Sequence, residues 1–279
     1  MMMRTLGILG LAIGLTVGCG SEENGDDNDS EPVETLTPEP AGAPSETVDG
    51  RWTCLGAEAG GPSGAAIELV GYVRTLSDPT ASADPPAAEL EAFTSSGTAL
   101  DSAFSDPSKA GRVALSVPVT SKGFDGYTVT SITGYLDWRM HTSRPVTDTS
   151  QAGWAWMTTQ AEADTQASNL SITLDAGKGI LVGVVHDCDG FGAQFSVVEV
   201  QGDTGSVYYV EGFDVVSSRT YTSSTGRFAL ANVEPGTVTV KAFGRLESGG
   251  PLTLLSTATA GVEAGRMTAV AMEPRLVSK

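Results

Sequence analysis

Residues 225–240 read Thr225-Gly226-Arg227-Phe228-Ala229-Leu230-Ala231-Asn232-Val233-Glu234-Pro235-Gly236-Thr237-Val238-Thr239-Val240. Large apolar side chains alternate with smaller or polar ones on both sides of a Pro-Gly turn, through Phe228 and Leu230 and again through Val238 and Val240. A period of two puts alternate side chains on one face, which predicts two consecutive strands. The same texture recurs in Tyr127–Ile132 and Thr237–Phe243. Gly134, Gly236 after Pro235 and Gly126 after Asp125 read as turn residues where the chain needs a positive φ. About seven short strands per ~100 residues, with no helix among them, predict an all-β chain of sandwich type.

Working outward, an internal repeat emerges. One stretch runs Gly71-Tyr72-Val73-Arg74, then Ala88–Phe93, Ser105-Asp106 and Gly111-Arg112-Val113-Ala114-Leu115. A second runs Gly183-Val184-Val185-His186, then Phe195–Val200 and Ser223–Leu230. Gly71 and Gly183 stand 112 residues apart, and Gly111 and Gly226 stand 115 apart. Two ordered markers at nearly equal spacing predict two tandem sandwiches, over 51–149 and 171–279. Between them, Ser150–Leu170 is rich in Ala, Gln and Glu and lacks Pro. Trp154, Met157 and Ala161 fall at i, i+3 and i+7 behind Ser150 as N-cap, which predicts a helical connector over 150–170.

Thr225 to Gly236 with Val238-Thr239-Val240, preceded by the strand Gly183-Val184-Val185, resembles the carboxypeptidase regulatory-like domain. That family is a transthyretin-like (prealbumin-like) β-sandwich, related in fold to starch-binding modules. Ser105 through Leu115 resembles it more loosely, with an insertion at Pro107–Ala110 and Val117-Pro118-Val119 where the Pro-Gly turn is expected. Phe124-Asp125-Gly126-Tyr127 and Gly134-Tyr135-Leu136 further resemble lipoproteins of the kind found in myxobacteria. The resemblance implies an accessory, non-catalytic module.

The N-terminus points to a membrane address. Arg4 precedes the apolar run Leu6–Val17, which is too short for a spanning helix of ~20 residues and has the size of a signal-peptide core. It ends in Leu15-Thr16-Val17-Gly18-Cys19, which resembles a bacterial lipobox. That resemblance implies a signal peptide over 1–18, acylation of Cys19 and, with Gly20 following, an outer-membrane destination. Residues 20–50 hold ten acids, no Lys or Arg, and Pro32, Pro38, Pro40 and Pro44. Such a composition predicts a disordered acidic tether over 19–50. Outside the cytoplasm thiols tend to pair, and with Cys19 acylated Cys54 and Cys188 form the one available disulfide. It would close a loop of more than a hundred residues and contribute ~4–5 kcal/mol in the chain-entropy model.

Charge and chemistry bound the rest. The 279 residues carry net charge −18, from 34 acids and 16 bases, so no nucleic-acid partner is expected. From Arg51 onward there are 24 acids against 15 bases, so more than half of the excess lies in the ten uncompensated acids of residues 20–50. Two histidines, His141 and His186, leave little for a metal centre. His186-Asp187-Cys188-Asp189-Gly190 contains half of a calcium loop but lacks the further oxygen ligands, and reads as a polar turn after a strand. No Gly-x-Ser-x-Gly, His-Glu-x-x-His or Walker pattern occurs. No catalytic residue, metal or cofactor is therefore assigned, and a metal-dependent envelope hydrolase is the weakest reading. The leading expectation is a lipid-anchored envelope protein that contacts a protein partner through its sandwich loops. The alternative is a glycan-binding lipoprotein using Trp138, Trp154, Trp156, Tyr208 and Tyr209, although packing is the expected role of Trp154 and Trp156.

Overall fold

Gly71 and Gly183 each lie in the central strand of a three-stranded set, and the two sets are wired alike. The computed structural model describes residues 34–62, 64–75, 87–147, 150–202, 205–212 and 214–276, the side chains of 150–154 excepted. The first copy comprises β1 (Ala66–Thr75), β2 (Glu89–Phe93), β3 (Ala99–Phe104), β4 (Arg112–Pro118), β5 (Tyr127–Ser131), β6 (Trp138–Thr142) and β7 (Ser150–Met157). Helix α1 (Gln160–Asn169) leads to the second copy. There follow β8 (Gly179–Val185), β9 (Val197–Gln201), β10 (Tyr208–Glu211), β11 (Asp214–Val216), β12 (Arg227–Val233), β13 (Gly236–Gly244), β14 (Thr253–Val262) and β15 (Met267–Met272).

Strand β1 pairs antiparallel with β4 and parallel with β7, and β8 does the same with β12 and β15. Strands β2, β5 and β6 run antiparallel in that order, as do β9, β13 and β14. The glycine spacing of the sequence is a register: Gly71 lies opposite Val113, and Gly183 opposite Phe228. Only the middle of each copy differs, since β3 joins β2 whereas the β10–β11 hairpin joins β12.

The two sandwiches are fused edge to edge. Parallel pairing of β6 with β15 makes one nine-stranded sheet, β11-β10-β12-β8-β15-β6-β5-β2-β3. Successive residues of β15 show how it is covered, because they point to opposite faces. Val270 and Met272 pack with Leu181, Phe228, Val240 and Ala258 under the sheet β14-β13-β9. Met267 and Ala269 pack with Trp138, Val73 and Met157 under the sheet β4-β1-β7. The smaller sheets thus lie on opposite faces of the large one.

Two sequence expectations change. The connector is not helical over 150–170: Ser150–Met157 is a strand in parallel register with Leu69–Thr75, and the helix begins at Gln160. Ala155 and Met157 bury against β1 at the strand period of two, and the apparent helical spacing of Trp154 and Met157 has no part in it. The true N-cap is Thr159, whose hydroxyl accepts from the Glu162 N–H while the Glu162 carboxylate accepts from the Thr159 N–H.

Nor is the acidic segment a free tether throughout. From Glu34 onward it is fastened to the second sandwich. Thr35 bridges Thr253, Leu36 packs beside Phe243 and Leu252, and Val48 enters the main core. Glu34 meets Lys241 at 2.7 Å, and Glu39 forms a two-pronged pair with Arg245, which holds its carboxyl below the usual range. Composition counted the charges but not their partners. Cys19 and residues 1–33, with the signal peptide, lie outside the described residues.

Gly134 and Gly236 do have positive φ, at 88° and 147°. Gly126 does not: there a Cβ would stand 1.8 Å from the Phe93 carbonyl oxygen, so close approach fixes the glycine.

Candidate functional site

Strands β8, β12, β10 and β15 have one face in the core and another that should, by ordinary alternation, be polar. It is not. On β8, Leu181 and Val185 are buried below while Ile180, Val182 and Val184 stand half-exposed above. On β12, Phe228 and Leu230 point down, and Arg227, Ala229 and Ala231 point up. Pairing aligns these side chains in rows across the sheet. One runs Tyr208–Ala229–Val182–Ala269–Met140, over five strands from β10 to β6. The next places Ile180 beside Met267 and Trp138.

This floor is walled into a groove of about 490 Å³. Trp156 and Thr158, at and just beyond the end of β7, form one side. Ala163, Gln166 and Ala167 of α1, with Leu170 at its C-cap and Leu174, form the other parts of the wall. The alanines at 163 and 167 are buried, and their small side chains allow the helix to approach. Such a volume lies within the ~300–1,000 Å³ usual for small-molecule sites.

Polar groups gather at one end. Arg227 donates to the Gly212 carbonyl at 3.0 Å and lies over the Trp156 ring, 5.6 Å from its centroid. Burial pulls its guanidinium below the ordinary value, though an arginine stays charged at neutral pH. His186 stands nearby, and burial lowers its pKa, favouring the neutral imidazole. Among the described residues that line the groove, Arg227 is the one formal cation and none is Asp or Glu.

Of the five aromatics singled out in the sequence, the groove gathers three. Trp138, Trp156 and Tyr208 line it. Trp138 is buried, and among the described residues its Nε1 has no hydrogen-bond partner. Tyr209 faces the other way, into the core, where its hydroxyl accepts from the Val198 N–H at 3.0 Å and burial pushes its pKa up to about 12. The side chain of Trp154 is outside the described set. Sequence reading missed the floor, although it had a signal: the apolar runs Ile180–Val185 and Ala269–Met272 mark strands with two apolar faces.

The histidine-containing turn is structural. Cys188 is joined to Cys54, with Cα atoms 5.8 Å apart. Asp187 is buried and accepts from the N–H groups of Asp189, Phe191 and Arg51, each at 2.9 Å. Among the described residues no three of His, Cys, Asp and Glu are grouped to hold a metal ion.

No protein-family model matches the sequence, and no curated protein matches it. Among solved structures, the Bacillus anthracis TIE protein is 13% identical with a TM-score of 0.24, over 76% of this chain and 34% of that one. A streptococcal ancillary pilin is 12% identical with a TM-score of 0.21, over 76% and 63%. GBS52, the minor pilin of Streptococcus agalactiae, is 11% identical with a TM-score of 0.23, over 76% and 98%. The chain thus spans about a third of the first structure and under two thirds of the second. Scores this low carry no argument about function.

Proposed function

We propose that this chain is a lipid-anchored protein of the bacterial cell envelope, held at the outer membrane through Cys19, that acts as a non-catalytic binding module. The observation that carries the binding half is the groove: an apolar sheet face, walled on its sides and left open, with polar groups at one end. Exposed apolar patches of this kind mark interaction sites. The groove takes the place of the sandwich loops as the contact surface. A glycan is the second reading, favoured by the meeting of Trp156 and Tyr208. It is weakened by the floor, where Val182, Ala229 and Ala269 offer sugar hydroxyls nothing to bond. The anchoring half rests on the lipobox resemblance, and the module itself on the resemblance to carboxypeptidase regulatory-like domains of envelope lipoproteins.

Two measurements test the halves separately. Cys19→Ala should move the protein from the membrane to the soluble fraction, and unchanged detergent partitioning would sink the anchor. The uncharged apolar dye Nile red should bind the mature chain saturably and should not bind Ala229→Trp, whose indole fills the floor. Equal dye binding by both proteins would remove the groove as the site.

A further inference from the structure

We propose that the groove binds an uncharged fused-ring alcohol, with its flat rings on the strip formed by β12 and β8 and its hydroxyl on the imidazole of His186. This rests on the groove being the binding site and names the class of ligand. The shape of the open floor and the chemistry at its end select it.

The part of the floor under the sheet β4-β1-β7 is closed, because Met267 and Ala269 pack there with Trp138, Val73 and Met157. The open part lies over β10, β12 and β8, where Tyr208, Ala229, Ala231, Ile180, Val182 and Val184 are half-exposed. From β10 to β8 it crosses two interstrand gaps, about 10 Å at ~4.8 Å each. Along β8 it runs from Ile180 to His186, about 20 Å at ~3.3 Å per residue. Val182, Val184, Ala229 and Ala231 carry short side chains that neither donate nor accept, so the strip is flat and apolar. A broad, flat hydrocarbon body fits such a strip, and a peptide or sugar laid on it would have unmet hydrogen bonds.

The strip ends at His186, the next groove-side residue after Val184. The His186 N–H donates to the Met272 carbonyl, and neither ring nitrogen has a hydrogen-bond partner among the described residues. Unlike Nε2 of His141, these nitrogens are not sealed from solvent. Burial lowers the pKa of the ring, so at neutral pH it offers one N–H donor and one bare acceptor. A hydroxyl also donates and accepts, and it meets such a ring without bringing a charge into an apolar groove. Arg227, at the same end, is engaged by the Gly212 carbonyl and the Trp156 ring, and the hydroxyl needs nothing from it.

The test follows energy transfer from the groove tryptophans to dehydroergosterol, a fluorescent sterol delivered from cyclodextrin to the mature full-length chain. Trp138 and Trp156 line the groove and serve as donors. Unlabelled cholesterol should displace it. Cholestane, which lacks the hydroxyl, should compete about fivefold more weakly, the worth of one hydrogen bond. Cholesterol sulfate should compete about tenfold more weakly or worse, since its charge must leave water. Octadecanol should compete more weakly than cholesterol, because its flexible chain has to be ordered on the strip. His186→Phe should weaken cholesterol about fivefold and leave cholestane within about twofold. His186→Gln, which keeps a donor and an acceptor, should restore cholesterol binding.

Absence of energy transfer to dehydroergosterol would overturn the proposal, as would equal competition by cholesterol and cholestane. Competition by cholesterol sulfate or octadecanol that matches cholesterol would also overturn it. If Nile red still enters the wild-type groove while cholesterol does not displace it, the ring-alcohol assignment falls and the binding module stands. If Nile red does not bind either, both fall. If His186→Phe fails to fold, cholesterol against cholestane on the wild-type chain decides the head group alone.

Discussion

Gly183 is the residue on which the second sandwich closes, and replacing it should cost stability in a way that one partner can relieve. A Cβ built there would stand 2.3 Å from Phe228 Cζ and 2.7 Å from Val270 Cγ2, both in the core. Its φ is not positive, so alanine is conformationally allowed and would gain about 0.4–1 kcal/mol by restricting the unfolded chain. Overpacking against a well-filled core costs about 1–3 kcal/mol. The clash wins, and Gly183→Ala should destabilise by about 0.5–2 kcal/mol net. Phe228→Leu alone should also destabilise, because the lost ring leaves a void beside the glycine. Together the changes should interfere less than their sum, with the new methyl entering the vacated space and a coupling of about 1–2 kcal/mol. Urea unfolding of the four proteins at constant m gives the cycle. Additivity within about 0.5 kcal/mol, or stabilisation by Gly183→Ala alone, would refute the packing argument.

The remaining perturbations act at the strap and at a buried histidine. The Cys54–Cys188 bond closes a separation of 134 residues that includes the entire first sandwich. Replacing both cysteines by serine should cost about 4–5 kcal/mol in the chain-entropy model, read as a lower urea midpoint that reductant does not change further. His141, buried against Tyr127 and beside Arg139, has its pKa lowered to about 4, by burial first and the Arg139 charge second. Its unfolded value is about 6.5, so between those pH values the unfolded chain binds more protons and stability falls with acid, by at most about 3 kcal/mol. Glu273, raised by burial, slopes the opposite way above its ordinary value, since its neutral form is favoured in the fold. His141→Gln should therefore lessen the loss of stability between pH 6.5 and pH 4, leaving in place the contribution of His186, lowered in the same sense, and that of Glu273. An unchanged profile in chemical denaturation would count against the burial of that imidazole.

The sandwich and its duplication were legible because both depend on period-two alternation and on glycines that repeat in register. Gly71 and Gly183 announced equivalent strands before any pairing was known, and Val113 and Phe228 are their equivalent partners. What misled was local spacing without its neighbour: Trp154 and Met157 fit a helical stripe until β1 is placed beside them. The acidic segment misled in the same way, because Glu34 and Glu39 are docked by Lys241 and Arg245, some two hundred residues later. The fused sheet was not legible at all. Pairing of β6 with β15 joins residues from the two copies, and neither strand carries a mark that names the other. The groove inherits that difficulty, since its floor and walls come from both copies and from the helix between them.

The duplication also supplies an internal control for the groove. Aligning Gly71 with Gly183 and Arg112 with Arg227 superposes the core positions: Leu69 on Leu181, Val73 on Val185, Val113 on Phe228, Leu115 on Leu230. All are buried in both copies. Of the outward positions, Val70 and Ala114 match Val182 and Ala229, and three others diverge. Where the first copy has Glu68, Tyr72 and Ser116, the second has Ile180, Val184 and Ala231, and the Arg112–Glu68 ion pair has its glutamate position taken by an isoleucine. The core face and the Val–Ala pair above it are therefore common to both copies, and the apolar residues at 180, 184 and 231 are the second copy's own. Restoring the first copy's residues there, as Ile180→Glu with Val184→Tyr, should leave the unfolding free energy within about 1 kcal/mol of wild type, as expected of half-exposed positions. The same double variant should lose Nile red binding. Global unfolding by this pair would mean that the outward residues serve the core, and retained dye binding would mean that the probe enters somewhere else.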